Sequence, residues 1–276
     1  MGESRTDVAL NVVKISGRAW ALTVHKAAGA LAHEPDADLS AYAGSVQAQA
    51  VREMDTEAVQ ALEAELRLAG IVDAGGTITR QWVLAVWISA FGPLRAAAVV
   101  QSADLSVHTE LALAGGRGIG VTYSRRIRHG EAGVEVTDVR DAVEISFFAE
   151  EHAWAAIRRH LPDIPEVPGL PKSPAATAGE TVAAARYTIH LQVSAHPAGS
   201  RVAGSGPTPS PAPAGAPAHG SWDVWTLTDH LYAVGTNPSG DGSALAPVGS
   251  DAIGREFAWR LLGAREYFAS VAEQAA

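Results

Sequence analysis

The chain has 276 residues, 47% of them hydrophobic and 18% charged, a balance that permits a packed core and excludes wholesale disorder. Its net charge of −9 argues against nucleic acid or an anionic membrane as a partner, since both require a basic footprint. With no cysteine, disulfides, thiolate catalysis and Cys-ligated zinc are excluded.

Met1 to Asp7 is polar and no signal-peptide core follows it. No apolar run approaches the ~20 residues of a membrane span, so the expectation is a cytoplasmic protein without stable membrane insertion. Gly2 to Thr6 fits the loose myristoylation pattern, but the composition reads as bacterial. Only Lys14, Lys26 and Lys172 stand against eighteen arginines in an Ala/Gly-rich chain, as high-GC genomes produce. Val8 to Ile15 alternates as a short strand would, and a helix is predicted from Arg18 to about Leu31. Residues 33–53 are weakly patterned, with a break at Glu34-Pro35. Asp55 offers an N-cap for a helix through Ala69, with Val59, Leu62 and Leu66 on one face and Gly70 as the stop. After a turn at Gly75-Gly76, Thr79 caps a helix that ends at Gly92-Pro93. Its Trp82, Val83, Leu84, Val86, Trp87, Ile88 and Phe91 point in every direction, which requires cover on several sides, from other layers or from a partner.

From residue 96 to 148 the period becomes two. Ala96–Gln101 is one predicted strand, Thr109, Leu111 and Leu113 mark the next, and Gly115-Gly116 turns into Ile119, Val121 and Tyr123. A polar turn over His129–Gly133 leads to Val134 and Val136, and then Val143, Ile145 and Phe147 alternate with Glu144 and Ser146. Such strands, apolar on one side and polar on the other, predict an antiparallel meander. A helix over Ala149–Leu161 closes the unit at Pro162. The plan then recurs: Tyr187, Ile189, Leu191 and Val193 alternate, and Trp222–Leu227 and His230–Val234 form a hairpin about Thr228-Asp229. A polar loop over Thr236–Ala244 precedes a long helix capped at Ser250 or Asp251 and reaching about Glu273. The fold expected is α+β, with a central antiparallel sheet flanked by helical bundles and a quasi-twofold arrangement of two similar halves. It forms a single domain over 1–276, with halves at about 1–161 and 182–276.

The linkers differ physically. Pro162, Pro165, Pro168, Pro171 and Pro174 recur every third residue within a strap over 162–181, the repeat of a polyproline II helix. Ile164, Val167 and Leu170 give that strap an apolar face with which to pack on the protein. Residues 196–221 instead hold six prolines among Gly, Ser and Ala without period, which reads as a solvated, mobile insertion.

No H-E-x-x-H, P-loop or G-x-S-x-G is present. Gly116, Gly118 and Gly120 resemble half a dinucleotide fingerprint, but they lead into a strand rather than a helix, so no pyrophosphate site is expected there. The histidines are scattered, with His152 and His160 two turns apart and His190 on a polar strand face. Glu150-Glu151 complements a helix N-terminus, Asp241-Gly242 reads as a turn, and Arg125, Arg126 and Arg128 read as a solvated hairpin end. No catalytic, cofactor or metal residue is assigned, and the chain is expected not to be an enzyme. In the closing helix, about 100° per residue gathers Ile253, Phe257, Leu261, Ala264, Phe268 and Val271 into a core stripe. Trp259 and Leu262 fall opposite, among Arg255, Arg265, Glu266 and Glu273. They read either as a docking anchor for a protein or as a pair covered by a second helix, such as Arg18–Leu31.

The order of parts resembles the EspG family, cytosolic chaperones of the actinobacterial type VII (ESX) secretion system. The stretches that carry it are the helix ending in LRLAGIVDAGG, the meander LALAGGRGIGVTYSRR with VEVTDV after it, and the transition AWAAIRRHLPDIP. The W-x-V hairpin, Leu245-Ala246-Pro247 and the long terminal helix also fit, so the likeness spans about two-thirds of the chain. The departures are the Pro-rich insertion and the first fifty residues. The resemblance implies a cytoplasmic chaperone that binds one helical, PE–PPE-like secretion substrate and keeps it soluble for export. It implies a partner surface of Ala114, Gly115, Gly116, Arg117 and Gly118 with Arg255, Trp259, Leu262 and Glu266. The alternative is a small-molecule binder or enzyme with a pocket between sheet and helices, around His108, His190 and Tyr187.

Overall fold

The computed structural model describes residues 10–32, 40–43, 45–130, 133–166, 178–196, 219–236 and 243–275. The Glu34-Pro35 break, the strap beyond Glu166 as far as residue 177, and nearly all of the Pro-rich insertion lie outside them. The elements run β1 (Asn11–Ile15), α1 (Gly17–Leu31), α2 (Ser40–Ala43), α3 (Val46–Arg52), α4 (Thr56–Leu68), α5 (Arg80–Phe91), β2 (Leu94–Gln101), β3 (Leu105–Ala114), β4 (Arg117–Gly130) and β5 (Gly133–Ala149). A 3-10 turn (Glu150–His152) leads to α6 (Ala153–Arg158). Then come α7 (Ala178–Ala183), β6 (Tyr187–Ala195), β7 (His219–Leu227), β8 (Leu231–Thr236), β9 (Ser243–Pro247) and α8 (Ala252–Ala275).

All nine strands belong to one antiparallel sheet in the order β1-β5-β4-β3-β2-β6-β7-β8-β9. The fold is α+β, as the two periods in the sequence indicate. The meanders β2–β5 and β6–β9 meet where β2 pairs with β6, from Leu94 opposite Ala195 to Gln101 opposite Thr188. A twofold axis normal to the sheet at that seam superposes the strand order of one meander on the other. The helices do not obey it. Ala112, Ile119, Val143 and Ile145 face the layer of α1, α4 and α5. Leu94, Ala96, Leu111, Leu113, Ile189, Leu191 and Val193, of opposite parity, face α6 and α8. The two helical layers therefore cover opposite faces, and the likeness of the halves lies in their strands.

Local chemistry explains most boundaries. Ser16 caps α1 by accepting from Ala19 N–H at 3.1 Å, while its own N–H and hydroxyl donate to Glu65 of α4 at 2.6 and 3.0 Å. Asp55 caps α4 at 2.8 Å, and Gly70, at φ 68°, ends it in the left-handed region. Thr79 precedes α5 without a side-chain cap bond. Glycine has a different use in β4: a Cβ on Gly118 would fall on the Phe148 ring, and one on Gly120 on Ser146 Oγ.

Four expectations needed revision. Residues 40–52, weakly patterned in sequence, hold the short helices α2 and α3, capped in the second case by Ser45. The segment predicted to be one helix over 149–161 is a 3-10 turn followed by the six-residue α6. The strands marked by Val134–Val136 and Val143–Phe147 form one 17-residue strand, irregular in register against β4 near Tyr123–Ile127. Finally, residues 219–221 belong to β7, and the edge strand Ser243–Pro247 takes in the last two residues of the loop expected over Thr236–Ala244.

Candidate functional site

Residues 252–275 of α8 lie across β6 and β7. Ile253, Phe257, Leu261 and Ala264 are buried beneath it, and Phe268 packs at the margin of the same cluster. Arg260 fixes the helix to the sheet through a two-pronged bond to Asp223 of β7, 2.9 and 3.1 Å, with Glu256 on its other flank at 2.7 Å. The two carboxylates hold this guanidinium even more firmly protonated than usual. Gly254 admits the Trp154 indole of α6 against the backbone of α8. An open groove of about 470 Å³ runs beside that contact, between Trp154, Arg158 and Ile164 on one side and Asp251, Arg255 and Ala258 on the other. Ile164 also packs on the core, so the strap, as far as it is described, lies against the protein.

Among the described residues, nothing covers the outward side of α8. Trp259 is 69% exposed and Leu262 45%, and Arg255 and Glu266 beside them are exposed too. The covering helix considered from sequence is absent from this face, because α1 packs on α3, α4 and α5 on the other side of the sheet. Arg255 pairs with Asp251 one turn back, both well exposed.

The turn between β3 and β4 approaches the same helix through one intermediary. Glu150 N–H donates to Gly116 O at 3.0 Å, and the Glu150 carboxylate accepts from Arg265 Nε and Nη2 at 2.9 and 2.7 Å. Arg265 sits between Leu262 and Glu266, so the two stretches assigned by resemblance are joined at one end of the molecule. Gly115 and Gly116, at φ 57° and 75°, make the turn, and with Arg117 they are exposed. Ala114 is half-buried. Gly118 needs correcting as a contact residue: it is buried, with the Phe148 ring against it, and offers little surface. Glu150, read from sequence only as complementing a helix terminus, is the residue that joins the two stretches. Nothing local marks that role, since its partners lie 34 and 115 positions away.

The histidines of the alternative reading do not converge with Tyr187. His108 and His190 flank Val99 on neighbouring strands and share one face, whereas Tyr187 lies on the other, against the α8 core. His108 stacks on Tyr123 at 5.1 Å between ring centres and shares a 2.9 Å hydrogen bond with Ser106. Burial, and secondarily the Arg125 charge, push its pKa down to about 4. Burial likewise lowers His190, which lies 5.5 Å from the Trp222 ring. Tyr123 donates to Glu110 at 3.0 Å, and burial holds both acids above their usual range. A further cavity of about 450 Å³ lies between Gly17, Tyr123, Arg125 and the Val136–Val143 part of β5. Among the described residues, no group of three or more histidine or acidic side chains is placed to hold a metal ion, and no helix is long and apolar enough to cross a membrane.

Comparison with family models finds no match for this chain, and comparison with curated proteins finds none either.

Proposed function

We propose that the protein is a cytoplasmic, non-enzymatic chaperone of EspG type, which binds a helical type VII secretion substrate of the PE–PPE kind and keeps it soluble before export. The observation that carries this reading is the large aromatic Trp259, 69% exposed beside Leu262 on an otherwise charged helix face. Tryptophan is the residue most enriched at the energetic centre of protein interfaces, and an isolated exposed one has no part in the core. Gly115, Gly116 and Arg117, tied to α8 through Glu150, supply a second edge to the same surface. The sequence resemblance supplies the class of partner.

Co-expression with helical secretion substrates encoded near this gene tests the reading. A stable one-to-one complex is expected, with Trp259→Ala weakening it by about 2 kcal/mol, roughly thirtyfold. If no such substrate co-purifies, or if Trp259→Ala binds as tightly as the parent, the surface is misassigned.

A further inference from the structure

Along α8 the exposed residues Arg255, Trp259, Leu262, Glu266, Ala269 and Glu273 form one stripe at four-three spacing, with the exposed Ala258, Arg265 and Ser270 beside it. A helix pairs with a second one through a stripe of that spacing, two positions of every seven, and here Trp259 and Leu262 form its apolar centre. The opposite side of the helix, with Phe257 and Ala264, is buried in the core, so the seam faces away from the other described residues. Ala258 and Gly263 flank it, small enough for another helix to approach closely.

The chemistry of the seam is symmetric about its midpoint, between Arg260 and Leu261. Reversing the helix about that point exchanges Trp259 with Leu262 and Arg255 with Glu266. We infer that a second copy of this chain covers the seam, the two α8 helices pairing antiparallel around a twofold axis. Each Trp259 then packs on the partner's Leu262, and each Arg255 meets the partner's Glu266. Such an interface is isologous, so every contact occurs twice. A parallel pair would set Arg255 against Arg255 and Glu266 against Glu266, which like-charge repulsion disfavours. Both charged groups are available. Glu266 forms no ion pair among the described residues, and the Arg255–Asp251 pair is exposed at both ends, where such pairs hold weakly.

This inference rests on the exposed seam and not on the identity of any secretion substrate. The paired seam spans Arg255 to Glu266, about 17 Å of helix at 1.5 Å per residue. A contact of one helix face lies toward the small, transient class of interfaces, so dissociation on the order of 10 μM is expected. Self-pairing and capture of a helical partner compete for Trp259. Above that concentration the dimer is the resting form, and an incoming partner displaces one copy.

Sedimentation of the purified full chain, alone, across roughly 1 to 200 μM resolves a dimer of this strength by mass action. The parent protein is expected to pass from monomer to dimer over that range. Trp259→Ala should weaken the dimer roughly a hundredfold, about ten for each copy of the contact. Arg255→Glu and Glu266→Arg should each be monomeric throughout. Their equimolar mixture should dimerise, because each variant supplies the charges the other lacks, and the double variant should dimerise by itself. All three altered positions are exposed, and melting temperatures unchanged at low micromolar concentration confirm that each variant folds. A parent protein that stays monomeric at the highest concentration overturns the inference. So does a mixture or double variant that fails to regain the dimer, since self-association would then lie on another face. No secretion substrate enters this assay, so its outcome stands apart from that of the co-expression test.

Discussion

The two helical layers cover the sheet in different ways. Over β1 and β3–β5, α1, α4 and α5 form a layer locked at several points. Leu66, Ile71 and Ile145 are wholly buried, Ser16 is bonded to Glu65, and Lys26 reaches Glu63 at 2.7 Å. Across β2, β6 and β7 the cover is one long helix with the short α6 beside it. In the first layer, Trp82 of α5 is buried and meets Phe147 edge-on, with ring centres 4.9 Å apart. In the second, α8 spends half its circumference on the core and leaves Trp259 outside. A tryptophan is thus a core residue in one layer and a surface residue in the other. What separates them is whether neighbouring helices close around it.

The largest effects should come from removing the seal of each layer. Leu66→Ala and Phe257→Ala, at 0% and 2% exposure, should each cost about 3–5 kcal/mol, read as a drop in the denaturant midpoint. If Phe257→Ala costs much less than Leu66→Ala, the α8 layer is looser than the first, and the contrast between them grows. Next comes the sheet beneath. Gly120→Ala drives a Cβ onto Ser146 Oγ and to within 2.9 Å of Leu111, and should cost about 1–3 kcal/mol. A change near zero would mean that β4 yields easily under α6.

Alternation at Tyr187–Val193 and Val143–Phe147 made the strands and their buried face readable, and the caps Asp55 and Gly70 made α4 readable to within a residue. The outward placement of Trp259 and Leu262 was legible too, because α8 is amphipathic and helical spacing alone separates its two sides. The omnidirectional α5 showed the limit of such reasoning. Its pattern says that several sides need cover without saying which, and in the fold Trp82 and Ile88 are buried while Leu84 and Trp87 stay 39% and 38% exposed. Opposite placement of the two helical layers was not legible at all. It depends on which face of the shared sheet each helix reaches, a long-range property that no local period encodes. The Gly116–Glu150–Arg265 link was hidden for the same reason, and the irregular register near Tyr123 obscured the continuity of β5.

A smaller, pH-dependent effect separates the polar face of the sheet from its sealed parts. His108 has a folded pKa of about 4, against about 6.5 for an unperturbed imidazole. Between those values the unfolded chain binds a proton that the folded chain refuses. Stability is therefore intact above pH 6.5, falls as pH drops toward 4, and changes no further from this group below it. The full shift corresponds to about 3 kcal/mol, which partial exposure of the ring reduces to about 1–2. His108→Gln should flatten that part of the acid limb, measured as ΔG of unfolding between pH 7 and 4. His190 and His196, lowered in the same direction by burial, keep a residual slope in the variant.

The smallest expected change is the one that bears most on function. Trp259→Ala removes an indole that is 69% in water, so the stability of the isolated chain should move by no more than about 0.5 kcal/mol. On the same helix, two residues earlier, Phe257→Ala should cost several times as much. The measurement belongs at low micromolar concentration, where a weak self-pair contributes nothing to the apparent stability. Repeated at high concentration, the parent should gain stability relative to Trp259→Ala, because only the parent pairs. A large loss already at low concentration would mean that the indole is covered within the monomer. Both the docking surface and the self-complementary seam would then have to be sought elsewhere.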